Sequence, residues 1–133
     1  MRIFLLLSVL VLIAGCASGS QRLEAQNTAI RDLIEVNELE AVDVVRFVRQ
    51  LDGYVINDYY VILSERKKRY LLEYAQRCMT DFYGRVEPDY RTDPKAIRPR
   101  IDTFRGCRIK AIYAIDEALE GELKQIGKAP GEK

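Results

Sequence analysis

The chain has 133 residues, of which 21 are basic and 20 acidic, and it contains no histidine. This length supports one domain with a single hydrophobic core rather than two domains. The lack of histidine removes the commonest general base and the commonest metal ligand. We therefore expect a single domain that holds no metal ion and no other cofactor.

The amino terminus predicts an exported protein. After Arg2, residues 3–14 form an apolar run of twelve residues that only Ser8 interrupts. A membrane-spanning helix needs roughly 20 residues, whereas a short apolar run behind a positive charge is typical of a secretory signal peptide. The letters IAGC at 13–16 resemble the lipobox of bacterial lipoproteins. The resemblance implies cleavage before Cys16 and acylation of its thiol and amine, palmitate included; the alternative is an ordinary signal peptide that contains a cysteine.

These boundaries divide the chain into four predicted parts. Residues 1–15 are a lipoprotein signal peptide, 16–21 a lipidated tether, 22–127 a single domain and 128–133 a flexible tail. Ala17, rather than aspartate, follows the cysteine, and the resemblance to Gram-negative lipoproteins then implies the outer membrane. We expect a protein that is anchored in this membrane and faces the periplasm. Export argues against nucleic acid as a partner, and the oligomeric state stays open.

The domain is predicted to begin with a helix over about 22–37. Four apolar residues recur there at helical spacing: Leu23, Ile30, Leu33 and Ile34. The stretch AVDVVRFVRQL at 41–51 is rich in β-branched residues, which favours a strand. We expect this strand to end at a turn formed by Asp52 and Gly53.

The centre of the chain predicts the middle of an antiparallel sheet. YVINDYYVIL at 54–63 indicates two short strands around Asn57 and Asp58, or one strand with a bulge, and YLLEY at 70–74 a further strand. Nearly every residue of 59–63 and 70–74 is apolar or aromatic, as in strands that are buried on both faces. A helix is expected over one side of them. Their tyrosines are either half-buried sheet residues or a platform for a small ligand.

The segment 85–100 is predicted to be a loop. It contains Pro88, Pro94 and Pro99 among charged residues, and this spacing of prolines interrupts helices and strands. We expect it to be the least core-like part of the domain, and whether it is ordered stays open.

The carboxyl-terminal part predicts one strand and one helix. CRIKAIYAI at 107–115 alternates, which places four residues on one face of a last strand: Ile109, Ala111, Tyr113 and Ile115. Asp116 is expected to cap the following helix, which ends at Gly127. Its buried stripe consists of Leu119, Leu123 and Ile126.

Two cysteines remain after the lipobox, and they predict a structural disulfide. In an oxidising compartment, Cys78 and Cys107 are more often paired than free in a domain of this size. Free thiols and a redox-active pair are the alternatives, but the Cys-x-x-Cys spacing of redox motifs is absent.

No arrangement of residues indicates catalysis. Ser64 is the only serine after the tether, and no base is evident near it in the sequence. A group of carboxylates permits a carboxylate-based hydrolase as a third hypothesis: Asp81, Glu87, Asp89 and Asp93. Arginines alternate with them, which favours a salt-bridged surface instead, so we expect that the protein is not an enzyme.

Arginines mark a predicted partner-binding region. Six lie in and directly after the proline-rich loop: Arg85, Arg91, Arg98, Arg100, Arg105 and Arg108. Binding residues concentrate on loops, and the planar guanidinium group suits anionic groups better than an ammonium group does. An acidic patch of an envelope protein or an anionic glycolipid is the predicted partner; a solvated loop without a partner is the alternative.

The order of several short motifs resembles a known family. The series DGY, ND, VIL, YLLEY, a cysteine, IDTF and CRIKAIY, between about Val42 and Asp116, is similar to short secreted or lipid-anchored proteobacterial proteins known only as a domain of unknown function. Tyr54 stands where the family usually has tryptophan. Because the family has no assigned chemistry, the resemblance implies no catalytic residue.

Together these patterns predict an α+β fold: a small antiparallel sheet packed by an amino-terminal and a carboxyl-terminal helix, with one disulfide. The predicted function is that of a non-catalytic accessory or interaction module of the cell envelope. The alternative is a lipoprotein that binds a small ligand or lipid through its tyrosine-rich sheet. An open concavity lined by tyrosines would favour this alternative, and a filled core with a flat patch would favour a protein partner.

Overall fold

The computed structural model describes residues 19–49, 51–79 and 95–128. These residues form two helices, α1 (Gly19–Val36) and α2 (Glu117–Gly127), and seven strands. The strands are β1 (Val45–Arg46), β2 (Asp52–Val55), β3 (Tyr60–Glu65), β4 (Lys68–Tyr74), β5 (Ala96–Ile97), β6 (Thr103–Phe104) and β7 (Cys107–Ile115). The predicted α+β class is confirmed. The predicted signal peptide and the last five residues lie outside the described residues.

The main sheet has five antiparallel strands in the order β2-β3-β4-β7-β6, and β1 and β5 form a separate two-stranded sheet. The strands predicted for the middle, β3 and β4, do lie there. Their side chains alternate between the two faces: Val61 and Leu72 belong to one buried cluster, and Ile62 and Leu71 to the other. Both faces of the sheet are therefore covered.

One face of the sheet, here called the helix face, is covered by α1 and α2. Ile30 of α1 and Leu119 and Leu123 of α2 are buried against β3 and β4. Gln26 Nε2 donates a hydrogen bond to the carbonyl oxygen of Ile126 at 3.0 Å, which joins the two helices. The prediction of two helices over the sheet is confirmed, although α1 begins at Gly19, three residues before the predicted start.

The opposite face, here called the loop face, is covered by residues 41–51 and 95–104. Phe47, Leu51, Ile97 and Phe104 are buried there against the sheet. The prediction of one strand over 41–51 is wrong: this stretch contains only the two-residue strand β1, paired with β5, and an isolated bridge from Ala41 to Tyr113 of β7. The apolar residues of this stretch cover a face of the sheet instead of forming a long strand in it.

The predicted turn at Asp52 and Gly53 is also wrong, because both residues belong to β2. The chain turns a few residues earlier, where the side chain of Glu65 accepts hydrogen bonds from the backbone N–H groups of Val48, at 2.8 Å, and of Arg49. The true turn thus depends on a residue of β3, which a local pattern does not reveal.

The proline-rich region is only partly described, since residues 80–94 lie outside the described residues. Ala96 and Ile97 are buried in the core of the loop face and form β5. The expectation that 85–100 is the least core-like part of the domain is therefore wrong for these two residues. Pairing with β1 satisfies their backbone and brings Ile97 onto the sheet.

The last strand contains an irregularity that the sequence did not reveal. Glu73 of β4 pairs with Ala111, but the next residue, Tyr74, pairs with Ile109, so that Lys110 is an extra residue in β7. Such β-bulges redirect a side chain and often lie beside functional sites.

The bulge divides the predicted single face of β7. Ile109 and Ile112 are buried on the loop face, whereas Tyr113 and Ile115 pack on the helix face. The prediction that Ile109, Ala111, Tyr113 and Ile115 share one face is wrong, because one extra residue reverses the alternation that follows it.

The carboxyl-terminal helix agrees with its prediction. Asp116 is the N-cap of α2, and its Oδ1 atom accepts a hydrogen bond from the backbone N–H of Leu119 at 2.7 Å. Leu119 and Leu123 are buried, Ile126 is partly buried, and the helix ends at Gly127. Local signals were sufficient here because capping and helical spacing involve only neighbouring residues.

Candidate functional site

A cleft of about 420 Å³ opens between the first half of α1 and the point where β3 begins and β4 ends. Its volume is in the range of small-molecule sites. Polar side chains from four elements meet in its lining: Asn27 and Arg31 of α1, Tyr60 of β3, Glu73 of β4, and Lys110 in the bulge of β7. Tyr59 and Leu23 contribute apolar surface.

The carboxylate of Glu73 is the centre of this polar lining. Its side chain is buried, and Oε1 accepts hydrogen bonds from the Tyr60 hydroxyl at 3.2 Å and from Lys110 Nζ at 2.9 Å. The bulge in β7 is the feature that brings Lys110 to this carboxylate. Without the extra residue of the bulge, the side chain at this position would point to the other face of the sheet.

Tyr60 keeps its proton throughout the neutral pH range. Burial, followed by the negative charge of Glu73, raises the pKa of Tyr60 to about 12. A hydrogen bond with Arg31, together with its positive charge, lowers the pKa of the same hydroxyl and offsets part of this rise. Tyr60 is therefore a neutral hydrogen-bond donor between a cation and a carboxylate.

Asn57 holds the wall of the cleft in place. Its Oδ1 atom accepts hydrogen bonds from the backbone N–H groups of Tyr59, at 2.9 Å, and Tyr60, at 3.2 Å, which fixes the turn between β2 and β3. Its Nδ2 atom donates to Oδ1 of the buried Asn27 at 3.0 Å. One side chain thus connects the start of β3 to α1.

Charged side chains of both signs form the rim of the cleft. Arg77 is paired with Asp58, with 2.6 Å between Nε and Oδ2. Glu24 and Arg31 lie on the same side of α1, seven residues apart. Arg31 is hydrogen-bonded to the Tyr60 hydroxyl but makes no ion pair with a carboxylate of the described residues, so its guanidinium keeps further N–H donors.

The cleft was only partly foreseen. The tyrosine-rich strands were considered as a ligand platform, and Tyr59 and Tyr60 do line the cleft. Asn27, Arg31, Glu73 and Lys110 were missed. A signal existed for two of them, since Asn27 interrupts the apolar stripe of α1 and Glu73 stands inside YLLEY; buried polar residues of this kind indicate a special role.

The predicted disulfide is confirmed. Cys78 and Cys107 are bonded, with their Cα atoms 5.9 Å apart. The bond joins the segment after β4 to the start of β7, and Cys78 is buried in the cluster of the loop face. Cys16, the predicted lipidation site, lies outside the described residues.

The described arginines of the predicted region do not line the cleft. Arg85 and Arg91 are outside the described residues, whereas Arg98 and Arg100 lie in the turn between β5 and β6. Arg105 and Arg108 follow in the β6–β7 hairpin, Arg105 in its turn and Arg108 on β7. None of these four arginines lines the cleft, and Arg100 borders a smaller pocket with Pro99 and Lys110.

This arginine turn is organised around a buried carboxylate. Asp102 Oδ2 accepts a hydrogen bond from the backbone N–H of Arg98 at 2.7 Å, and the N–H of Asp102 donates back to the Arg98 carbonyl at 2.9 Å. Arg100 and Arg105 adopt positive φ angles of 70° and 51°. L-residues rarely adopt this conformation, which is often found at functional positions.

Two further properties concern only the part of the chain that the structure describes. It contains no group of three or more cysteines, aspartates and glutamates arranged to hold a metal ion. None of its helices is long and apolar enough to cross a membrane. The carboxylates considered for a hydrolase, Asp81, Glu87, Asp89 and Asp93, lie outside the described residues.

Comparison with known proteins identifies a family. A model of a family of unknown function (DUF6491) matches residues 1–87. This range ends before Asp102 and Cys107, whereas the resemblance drawn from the sequence motifs spans about 42–116. No curated protein and no solved structure matches the chain.

Proposed function

The chain belongs to this family of unknown function, and we propose that it is a non-catalytic binding module of the proteobacterial cell envelope. In this proposal the protein is lipid-anchored through Cys16 in the outer membrane and faces the periplasm. Its binding site is the cleft between α1 and the sheet. The observation that carries the proposal is the open, tyrosine-lined cleft, which favours a small ligand over a flat protein interface.

The anchor is supported by the letters IAGC at 13–16 and by the position of α1. The helix begins at Gly19, three residues after Cys16, and three extended residues reach roughly 10 Å. Gly19 and Ser20 themselves line the cleft. An acylated Cys16 would therefore hold the cleft close to the membrane surface. The disulfide agrees with an oxidising compartment such as the periplasm.

The non-catalytic role is supported by the protonation chemistry of the cleft. General acids and bases work best with a pKa near the operating pH. The pKa of Tyr60 is about 12, far above neutrality, and Glu73 is engaged by Tyr60 and Lys110. These groups suit recognition of a polar ligand by fixed hydrogen bonds.

Metabolic labelling tests the anchor. Wild-type protein expressed in a Gram-negative host should take up a palmitate analogue, and Cys16→Ser should take up none and remain an uncleaved precursor. Cys107→Ser is the matched control, because it removes a cysteine outside the lipobox and should keep the label. Wild-type protein without label would refute the lipoprotein assignment.

Native mass spectrometry tests the binding site. Protein extracted from its own membranes should carry a non-covalent small molecule that is released chemically unchanged. Tyr59→Ala, in the wall of the cleft, should lose this adduct. Tyr54→Ala on the edge strand β2 removes a tyrosine outside the cleft and should keep it. Equal adducts in the two variants would place the ligand elsewhere.

The arginine turn supports a second candidate function, the docking of an acidic protein patch. Ile101 is 68% exposed directly after Arg100, and Arg100 has a positive φ angle. Exposed apolar residues beside arginines are frequent in protein interfaces. The double variant Arg100→Ser/Arg108→Ser should lose a partner that wild-type protein crosslinks in intact cells while its stability stays within about 0.5 kcal/mol of wild type. Unchanged crosslinks would eliminate this candidate.

A further inference from the structure

The charged side chains that line the cleft carry one net positive charge: Arg31, Arg77 and Lys110 against Glu24 and Glu73. Arg31 of α1 and Lys110 of β7 are exposed cations of this lining, and the buried carboxylate of Glu73 is already paired with Lys110. Tyr60 is neutral because its pKa is about 12. Clefts with low-dielectric walls strengthen the attraction between such a charge and an oppositely charged ligand.

The available hydrogen-bond donors match the oxygen atoms of a phosphoryl group. The guanidinium of Arg31 uses one of its five N–H donors on the Tyr60 hydroxyl and makes no ion pair within the described residues. Its remaining donors can bind phosphate oxygens through two parallel N–H bonds. The buried Asn27 accepts from Asn57 through Oδ1, which leaves its Nδ2 group as a second donor in the lining. Lys110 Nζ has further protons beyond the one that it donates to Glu73.

We propose that the cleft binds a phosphoryl group, with Arg31, Asn27 and Lys110 as its ligands. This inference deepens the proposed binding function and rests on it. The phosphoryl group belongs either to the headgroup of a lipid beside the anchor or to a soluble phosphate ester. The headgroup is within reach because the cleft begins at Gly19, three residues after Cys16.

The acidic residues of the rim do not oppose this ligand strongly. Glu24 is exposed and lies two helical turns from Arg31, roughly 10 Å along the helix axis, but within one turn of Asn27. Physiological salt largely screens Glu24 from a phosphoryl group held at Arg31, and on the Asn27 side its exposure to water weakens the repulsion. Asp58 is neutralised by Arg77.

Calorimetric titration tests the proposal on the mature lipoprotein in a neutral detergent. Glycerol 3-phosphate and inorganic phosphate should each bind saturably. Arg31→Gln should weaken binding about tenfold, the loss expected for a hydrogen bond between charged groups. Arg31 is on the helix surface and glutamine is a good helix former, so this variant should fold. Lys110→Gln should show a similar loss.

Two controls make the titration specific. Lys67→Gln removes a cation from the β3–β4 turn, outside the cleft, and should bind like wild type. Arg31→Lys keeps the charge without the planar fork and should be weakened less than Arg31→Gln. The proposal is overturned if wild-type protein binds neither phosphate compound, or if Arg31→Gln binds as tightly as Lys67→Gln.

Reconstitution distinguishes the two sources of the phosphoryl group. In vesicles of phosphatidylethanolamine, which carries a phosphoryl group but no net charge, a bound headgroup would compete and weaken the binding of glycerol 3-phosphate relative to vesicles of an uncharged, phosphate-free galactolipid. Weaker binding in phosphatidylethanolamine supports the lipid headgroup, and equal affinities support a soluble phosphate ester. If Cys16 takes up no palmitate but Arg31-dependent phosphate binding persists, only the anchor is wrong. A ligand that lacks phosphate and depends on Tyr59 refutes this inference but not the binding module.

Discussion

The helix face and the loop face of the sheet bury polar groups in different ways. On the loop face, the buried carboxylates of Glu65 and Asp102 accept hydrogen bonds from backbone N–H groups of neighbouring turns. On the helix face, the buried Asn27 and Glu73 are bonded to other side chains that line an open cleft.

This difference separates two roles of buried polar residues. A carboxylate that accepts backbone N–H groups inside the core fixes the conformation of a turn and is closed off from ligands; the other oxygen of Asp102, Oδ1, is buried without a hydrogen-bond partner among the described residues. Side chains that bond to one another beside a cleft keep spare donors for a ligand. Because buried polar groups cost free energy unless they are bonded, the network of the helix face is the more informative one about function.

The largest expected effect concerns the loop face. The double variant Cys78→Ala/Cys107→Ala should lower the free energy of unfolding by about 2 to 5 kcal/mol, because the disulfide constrains the unfolded chain between two positions 29 residues apart. Urea unfolding measures this loss. Wild-type protein with dithiothreitol is the control and should lose a similar amount. An unchanged midpoint would show that the bond does not stabilise the fold.

The polar link between the cleft wall and α1 gives the next largest effect. Asn57→Ala leaves the buried Asn27 Oδ1 without its donor and removes the bonds that fix the β2–β3 turn. We expect a loss of about 1 to 3 kcal/mol. Asn37→Ala, at the exposed end of α1, removes one side-chain bond to its own helix and should cost less. Equal losses in the two variants would mean that Asn57 has no special role.

A smaller effect is expected at the start of α2. Asp116→Ala removes the N-cap bond to Leu119 and should cost about 1 kcal/mol. Asp116→Asn keeps a capping oxygen and should be nearly neutral. Thermal unfolding of both variants measures the difference, and identical stabilities would argue against capping.

The smallest expected effects are on the stability of the fold at acid pH. Their dependence on salt distinguishes an ion pair from backbone hydrogen bonds as the cause of a lowered carboxyl pKa. A hydrogen bond from Lys124 and the contact with Arg69 lower the pKa of Glu120, whereas the backbone N–H groups of Arg49 and Val48 lower the pKa of Glu65. Each lowered pKa stabilises the fold above the unfolded value of about 4.5 and ceases to do so as the pH falls through the folded value.

Glu120→Gln and Glu65→Gln should therefore each reduce the loss of stability between pH 5 and 3. In about 1 M NaCl the effect of Glu120→Gln should shrink, since ion pairs are screened, while that of Glu65→Gln should persist. Denaturant unfolding at several pH values measures both. The same salt response in the two variants would contradict the assignment of causes.

Local patterns predicted much of this fold. Capping and spacing predicted α2, apolar runs predicted β3 and β4, and the export signal together with two cysteines predicted the disulfide. The bulge at Lys110 escaped prediction because an extra residue leaves no mark in an alternating strand. The turn at 48–49 escaped it because Glu65 is the acceptor that fixes this turn, and Glu65 is remote in sequence.

Most of the cleft lining also escaped prediction, because its side chains are remote from one another in sequence. Asn27 meets Asn57, and Glu73 meets Lys110, only after the sheet and α1 have packed. Polar residues within apolar segments were visible in the sequence, but their partners were not. Six arginines concentrated in one segment drew attention to 85–108, whereas Arg31 is one of only two arginines in α1 and is not part of such a group.

The most direct test compares the cleft with the arginine turn in one experiment. Backbone amide spectra of the ¹⁵N-labelled mature lipoprotein in neutral detergent are recorded during titration with glycerol 3-phosphate. The account predicts saturable shifts at Asn27, Arg31, Tyr60 and Lys110, with little change at 98–108. Shifts confined to the arginines of 98–108, with the cleft residues unchanged, would contradict it.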